Sequence, residues 1–379
     1  MAITITQAPE SYASLHDDLW HVVTSNNTSQ SNFKYVIDVY VASSIVARLK
    51  VFPDPTEDCG AVNVANIVRN YWASYFRPPT TQTAFAYEGD DIYVDYELKF
   101  GEEYGGTTYL NLTTATYKAY NFAQPIFRDW STSYLATFEN KWLTNRDKTG
   151  LTVGLTERLF VPYLVGTPPA SLALKVSADG AAQVTGSGVS CDTLAVLDLS
   201  PVAINTYLSQ SLITSSTKVY TVQIGSGDIL TIRPSCSKFT PIVVHFLGGL
   251  GGYETMRFAL VNRRTSTAER RTFERPGWNL GADVMNRYDA YKVMAAGSQT
   301  FAVDESVDFT LNSDIVSATD YNWLRELVMS PEIYIEQGGY FYPVAVKDTN
   351  WVEKIRNSDK TFNFTITLTY GRNLNSQYR

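Results

Sequence analysis

Gly248, Gly249, Gly251 and Gly252 flank Leu250 in the stretch His245–Phe258, "HFLGGLGGYETMRF". The chemistry such a run could perform is phosphate binding, because glycine turns let backbone N–H groups approach an anion at a helix start. That requires a strand before the turn, a helix after it, and a Lys-Ser/Thr pair. "PIVVHFL" supplies the strand, but "YETMRFALV" also reads as a strand, no Lys follows, and the GxGxxG spacing fails. The run is therefore expected to be a hairpin turn whose glycines supply positive φ. No phosphate site and no cofactor follow from it.

The other reactive residue types are sparse. The histidines are His16, His21 and His245. The first two lie too far apart for one helix face, and His245 sits alone in an apolar strand, as a packed imidazole does. Neither a zinc ligand set nor a GxSxG elbow can be assembled. Asp90-Asp91 and Glu102-Glu103 bracket one strand pattern. Neighbours on a strand point to opposite faces, so neither pair makes a two-carboxylate glycosidase site by itself. Solvated loop acids are the reading, with loop calcium the alternative. Cys59, Cys191 and Cys236 are odd in number and widely spaced, which excludes a disulfide framework and a metal knuckle. No metal site and no enzymatic activity are expected.

One basic cluster stands out, "NRRTSTAERRTFERPGW" at Asn262–Trp278. It sets Arg263, Arg264, Arg270, Arg271 and Arg275 against Glu269 and Glu274. Its polar Ser/Thr middle predicts a long hairpin loop or arm. Three roles stay open: a solvated loop, a subunit-contact arm, or contact with DNA. Arginine is enriched in interfaces, which favours the second over the third. The aromatics of "RNYWASYF", "YNWLREL" and "GGYFYP" fit a core pattern and also a sugar-stacking groove.

The elements that position these residues are mostly strands. "NFKYVIDVYV" puts Phe33, Tyr35, Ile37, Val39 and Val41 on one face, with Lys34, Asp38 and Tyr40 on the other. "IVARLKVFP" completes a hairpin. "DIYVDYELKFGEEYGG" alternates up to Gly105-Gly106. Further strands are expected near 117–122, 134–138 and 159–165. "NVANIVRNYW" predicts a short helix capped by Asn63, and "SPVAINTYL" one capped by Ser200 with Pro201 in the first turn. "SATDYNWLRELVMSP" is a third, capped by Ser317 with Asp320 at the capping-box position. "EIYIEQGGYFYPVAV" predicts a hairpin turning on Gly338-Gly339, and "FNFTITLTY" a closing strand.

These patterns predict an all-β chain with a few short helices and tandem β-sandwich-like domains. Residues 1–166 form the first domain. Residues 167–279 form a second, related one with the arginine arm, and 280–379 a C-terminal β-rich region with one helix. "AVNVANIVRNYW" and "AVLDLSPVAINTYL" share an apolar entry, a polar cap and a short amphipathic turn, which reads as a degenerate duplication at a spacing of about 135 residues. A length of 379 residues calls for more than one core. The net charge of −7 excludes duplex binding by the bulk surface. No apolar run reaches the roughly 18 residues of a membrane span, and the N-terminus has no signal-peptide pattern.

Four stretches carry a resemblance to virion proteins of tailed phages, the crAss-like phages of Bacteroidetes in particular. They are "NFKYVIDVYVASSIVARLKVFPDP" with "NIVRNYW", "IVVHFLGGLGGYETMRF", "YNWLRELVMSPEIYIEQGGYFYPVAVKDTNW", and "FNFTITLTYGRN". Together they cover roughly half the chain, spread over its length. Similar sequences often carry Asp after the glycine turn and an aromatic; this chain has Glu254, and no ligand role is assigned to it. The resemblance implies a structural subunit of a tail or neck, assembled in the host cytoplasm and carried in the virion. Its implied partners are copies of itself in a cyclic homo-oligomer, other tail or neck proteins, and DNA passing without specific binding. An acidic wall suits such a channel, since phosphate contacts would retard the DNA. The alternative is a host-surface or glycan-binding tail component.

Overall fold

The chain is built mainly of strands, with four short helices among the described residues. The computed structural model describes residues 3–73, 76, 78, 86–88, 92–123, 133–166, 170–191, 193–274, 298–347, 351, 362–371 and 376–378. Two compact units arise. The first comprises Met1–Cys236, His245–Met256 and Ser317–Pro331; the second comprises Ser237–Val244, Arg257–Val316 and Glu332–Arg379. These divisions fall elsewhere than the expected boundaries after 166 and 279. The helix assigned to the C-terminal region counts with the first unit.

The first unit holds two cores. In the N-terminal one, a three-stranded sheet runs Thr4–Gln7, Trp20–Thr24, Cys59–Asn63. A five-stranded sheet runs Tyr12–Ser14, Thr107–Tyr120, Tyr93–Tyr104, Lys34–Val41, Ser44–Val51. Val23 and Val62 from the first sheet share one apolar cluster with Tyr35, Ile37, Val39, Leu98 and Phe100 from the second. Tyr35, Ile37 and Val39 are buried as the alternation predicts. Asp38, expected on the outer face, is buried too. Its cross-strand neighbour is Arg48, which donates to both carboxylate oxygens at 2.7 and 2.8 Å. A bidentate pair compensates the burial of that charge.

Both tight hairpins of this sheet use two-residue loops in the mirror-image sense that matches strand twist. Gly105 and Gly106 have φ of +57° and +76°. Ala42 and Ser43 do the same with side chains, at +50° and +63°.

The second core draws on Trp142 through Ile232. A four-stranded sheet, Lys141–Trp142, Phe160–Leu164, Leu194–Asp198, Ala86–Glu88, accompanies a five-stranded one, Leu151–Val153, Ile229–Pro234, Tyr220–Ile224, Leu174–Ala178, Val184–Thr185. Val161 and Tyr163 lie in the same apolar cluster as Leu174 and Val176. The "GTPPAS" break near residue 166 is thus internal to one core, because Phe160–Leu164 pairs with Leu194–Asp198 across it.

Two local expectations need correcting. Tyr134–Phe138 is a helix, not a strand, capped by Ser133 Oγ accepting from the Ala136 N–H. Tyr134 and Phe138 fit either period, and at helical spacing their rings stack 6.1 Å apart. The helix Ala65–Arg69 has Val64 at its cap position, not Asn63. Asn63 sits one residue earlier and accepts from the N–H groups of Ala65 and Leu19, each at 3.0 Å. Ser200 and Ser317 do cap Pro201–Leu208 and Ala318–Met329.

In the second unit one sheet is ordered Ile333–Gln337, Tyr340–Val346, Thr365–Tyr370, Ser298–Asn312, Arg263–Glu274, with Ser376–Tyr378 also on Ser298–Asn312. The glycine hairpin pairs Ile242–Leu247 with Tyr253–Phe258. Val307, Phe309, Leu311, Ile335, Ile366 and Leu368 are buried along this sheet. Among the described residues, no helix is long and apolar enough to cross a membrane.

Candidate functional site

The glycine turn does reverse two strands. Gly248 N–H donates to Gly252 O at 2.8 Å, and Gly251 N–H to Gly248 O at 3.0 Å. Of the four glycines only Gly251 has a positive φ, +88°. The expectation that all four supply it is corrected by the surroundings, since the others give room. A Cβ on Gly252 would lie 2.2 Å from Pro162 Cβ, and one on Gly248 would lie 2.6 Å from Glu254 Oε1.

What the turn accommodates is a carboxylate pair. Gly249 N–H donates to Glu326 Oε2 at 2.6 Å, and Asn145 Nδ2 donates to Glu326 Oε1 at 2.7 Å. Glu254 is buried, and its Oε2 accepts from Thr144 Oγ1 at 2.5 Å. Glu254 Oε1 has no hydrogen-bond partner. Burial, then the charge of Glu326, push the Glu254 carboxyl well above its ordinary range; burial also raises Glu326. The indole of Trp323 favours the charged form of Glu254 without completing a hydrogen bond.

Arg146 completes the cluster. Its Nη1 donates to Thr255 O at 3.1 Å, its Nε lies 3.7 Å from Asp320, and its guanidinium sits 4.8 Å over the Trp323 ring. Asp147 N–H donates to Asp320 at 2.9 Å. The cluster ties three segments of the first unit together: the turn, the 144–147 segment and the helix Ala318–Met329. Both carboxyls favour their protonated forms, and raised carboxyls are the raw material of acid–base chemistry. Here Glu254 is only 3% exposed. Glu326, Asn145, Arg146 and Trp323 escape sequence reasoning because they come from distant segments. The signal was a polar residue, Glu326, one turn from Trp323 on the packed side of the helix.

His21 and His245 are packed, the latter as expected, while His16 is exposed. His245 is fully buried, with Nδ1 2.9 Å from Thr255 Oγ1 and its ring 4.8 Å from Phe160. His21 is buried among Tyr96, Phe100 and Tyr117, and desolvation lowers its pKa to about 3. His16 Nε2 meets Asn121 Oδ1 at 2.6 Å. Of the acid pairs, Glu102 is buried and accepts from Ser25 and Asn27, while Glu103 pairs with Lys50 at 2.6 Å. Glu102 is therefore no solvated acid. Asp90 and Asp91 lie outside the described residues. No group of three or more His, Cys, Asp or Glu able to hold a metal occurs among the described residues.

The arginine cluster is an extended arm. Arg263–Glu274 forms one strand, exposed along its whole length, in antiparallel register with Ser298–Asn312. Arg263, Arg264, Arg270 and Arg271 all lie on it; Arg275 falls outside the described residues. Arg271 pairs with Asp304 at 3.3 Å, and Arg264 sits 5.8 Å over the Phe309 ring. Ser266 donates to Glu305. The strand ends the order of its sheet, so its outer edge faces no other described strand.

A third feature lies on the five-stranded sheet of the first unit. Tyr40, Ser43, Asp95, Glu97, Lys99 and Thr116 border a groove of about 440 Å³. Lys99 Nζ lies 3.2 Å from Glu97 and 4.1 Å over the Tyr40 ring, so the chain's own cation already covers that aromatic face. Among known proteins, no family model matches the chain and no curated protein matches it.

Proposed function

We propose that the chain is a structural subunit of a phage tail or neck, assembling into a ring around the DNA channel through protein–protein contacts. The observation that carries the assembly part is the strand Arg263–Glu274. It is exposed on every residue and carries four arginines, and its edge is bare among the described residues. A bare edge strand is a template for pairing, and monomers normally blunt such edges. Arginine is the charged residue most at home in interfaces. The virion context rests on the resemblance of the four sequence stretches. Heterologous contacts repeated by rotation close into rings.

A second reading, a glycan-binding tail component, draws on the groove beside Tyr40, Glu97 and Lys99. Native mass spectrometry of the purified chain, with a glycan array, separates the two. The expected result is a large cyclic oligomer with no glycan retained. A stable monomer that binds glycan through the groove would overturn the assembly reading.

A further inference from the structure

We propose that Arg263–Glu274 pairs edge to edge with the same strand of a second copy, antiparallel about a two-fold axis passing through Ala268. This deepens the assembly reading and rests on it: the two-fold pair makes a dimer as the repeating unit, and other surfaces close those dimers into the ring.

The strand is bonded on one side only, to Ser298–Asn312, and closes the sheet on the other. Both its faces are exposed. Backbone groups on a strand point alternately to one edge and the other, and in an antiparallel pair two opposite residues either both point toward the partner strand or both point away from it. Copies of one strand can therefore pair only in registers whose two-fold axis passes through a residue.

Charge selects among those registers, because like charges directly opposite destabilise a pair. An axis at Thr267 sets Arg264 against Arg270 and Arg263 against Arg271. Axes at Glu269 and Arg270 set each of those residues against itself. A parallel, in-register pair sets every arginine against its own copy. An axis at Ser266 avoids like charges but leaves Arg270–Glu274 unpaired. The axis at Ala268 spans residues 263–273 with no like-charge opposition. Arg270 then faces Ser266, Arg271 faces Thr265, and Arg264 faces Thr272. Arg263 faces Phe273, a cation–aromatic pair, and Glu269 faces Thr267. The smallest side chain of the strand stands at the axis, where two copies meet.

The test uses the full chain with the exposed Cys236 replaced by serine. Ala268→Cys and Thr265→Cys are each treated with a short bismaleimide. Cβ atoms directly opposite lie about 5 Å apart. The two copies of residue 265 would sit six positions out of register, roughly 20 Å apart at about 3.3 Å per residue. Ala268→Cys is expected to yield a covalent dimer and Thr265→Cys none. Ala268→Lys, which places two cations at the axis, is expected to weaken dimerisation at least tenfold in sedimentation, with an unchanged circular dichroism spectrum. Equal cross-linking of both cysteine variants, or none from Ala268→Cys, overturns the pairing. If the parent chain still oligomerises in that case, the assembly reading stands without it. A parent chain that stays monomeric at every concentration overturns both.

Discussion

At the scale of single residues, two buried ionisable groups set opposite limits on stability. Glu254 is held in a site that penalises its charge through burial and the neighbouring Glu326. Its folded pKa lies above the ordinary 4.5, so the folded state binds that proton more tightly than the unfolded chain. The contribution of Glu254 to stability is then full below pH 4.5 and declines as pH rises through the raised value. Urea denaturation across that range should show the decline in the wild type. Glu254→Gln, which cannot ionise and keeps an acceptor for Thr144, should flatten it and be more stable at alkaline pH by a few kcal/mol, since each pKa unit corresponds to about 1.4 kcal/mol. An identical slope in both proteins would remove Glu254 as its source. His21 acts from the other side. Its folded pKa of about 3 lies below the ordinary 6.5, so its contribution is present above pH 6.5 and lost as pH falls toward 3. His21→Phe fits the aromatic surroundings and should remove that acid slope in the same titration. Between 4.5 and 6.5 the two effects oppose each other.

At the scale of elements, the backbone stores strain where its residues do not suit their turns. Ala42 and Ser43 hold left-handed conformations in a two-residue hairpin that Asn-Gly would adopt far more readily. A left-handed residue with a Cβ costs roughly 1–2 kcal/mol. Replacing Ala42-Ser43 by Asn-Gly is thus expected to raise the unfolding free energy by about 1 kcal/mol, read as a higher denaturation midpoint at unchanged m-value. Gly252→Ala has the opposite sign. Its Cβ would fall 2.2 Å from Pro162 Cβ, and relieving that overlap should cost about 1–3 kcal/mol. This contrast also marks what was legible beforehand. Ser200, Ser317, Gly105-Gly106 and Gly338-Gly339 announce caps and turns because their chemistry is local. The turn at Ala42-Ser43 carries no such signal. Tyr134–Phe138 satisfies two periods at once. Asp38 looks solvated until the hairpin register brings Arg48 opposite it. The carboxylate pair was least legible of all, since Glu254 and Glu326 meet only after distant segments pack together. The arm was readable as basic and polar, whereas its pairing along Ser298–Asn312 depends on a strand tens of residues away.

At the scale of the whole molecule, charge is distributed unevenly. The chain carries −7 overall, while the strand Arg263–Glu274 holds four arginines against two glutamates. The remainder is therefore more acidic than the total. That arrangement separates protein contact from nucleic-acid contact by salt. A strand that grips phosphates releases counterions, so retention of duplex DNA would fall steeply with salt, by roughly one logarithmic slope unit per phosphate contact. A strand that pairs with protein through backbone groups depends on salt far less. Substituting Arg263, Arg264, Arg270 and Arg271 by serine removes the local positive field and leaves the edge backbone in place. In the assembly reading, the wild type shows no salt-sensitive DNA retention in filter binding between 50 and 200 mM salt. The fourfold variant then changes oligomer affinity through its lost side-chain contacts alone. A wild type that holds duplex DNA at low salt, with the hold abolished in the variant, would instead make this strand a DNA contact. The body's negative charge would then serve to confine the duplex to the arm, because an acidic surface repels phosphate everywhere else.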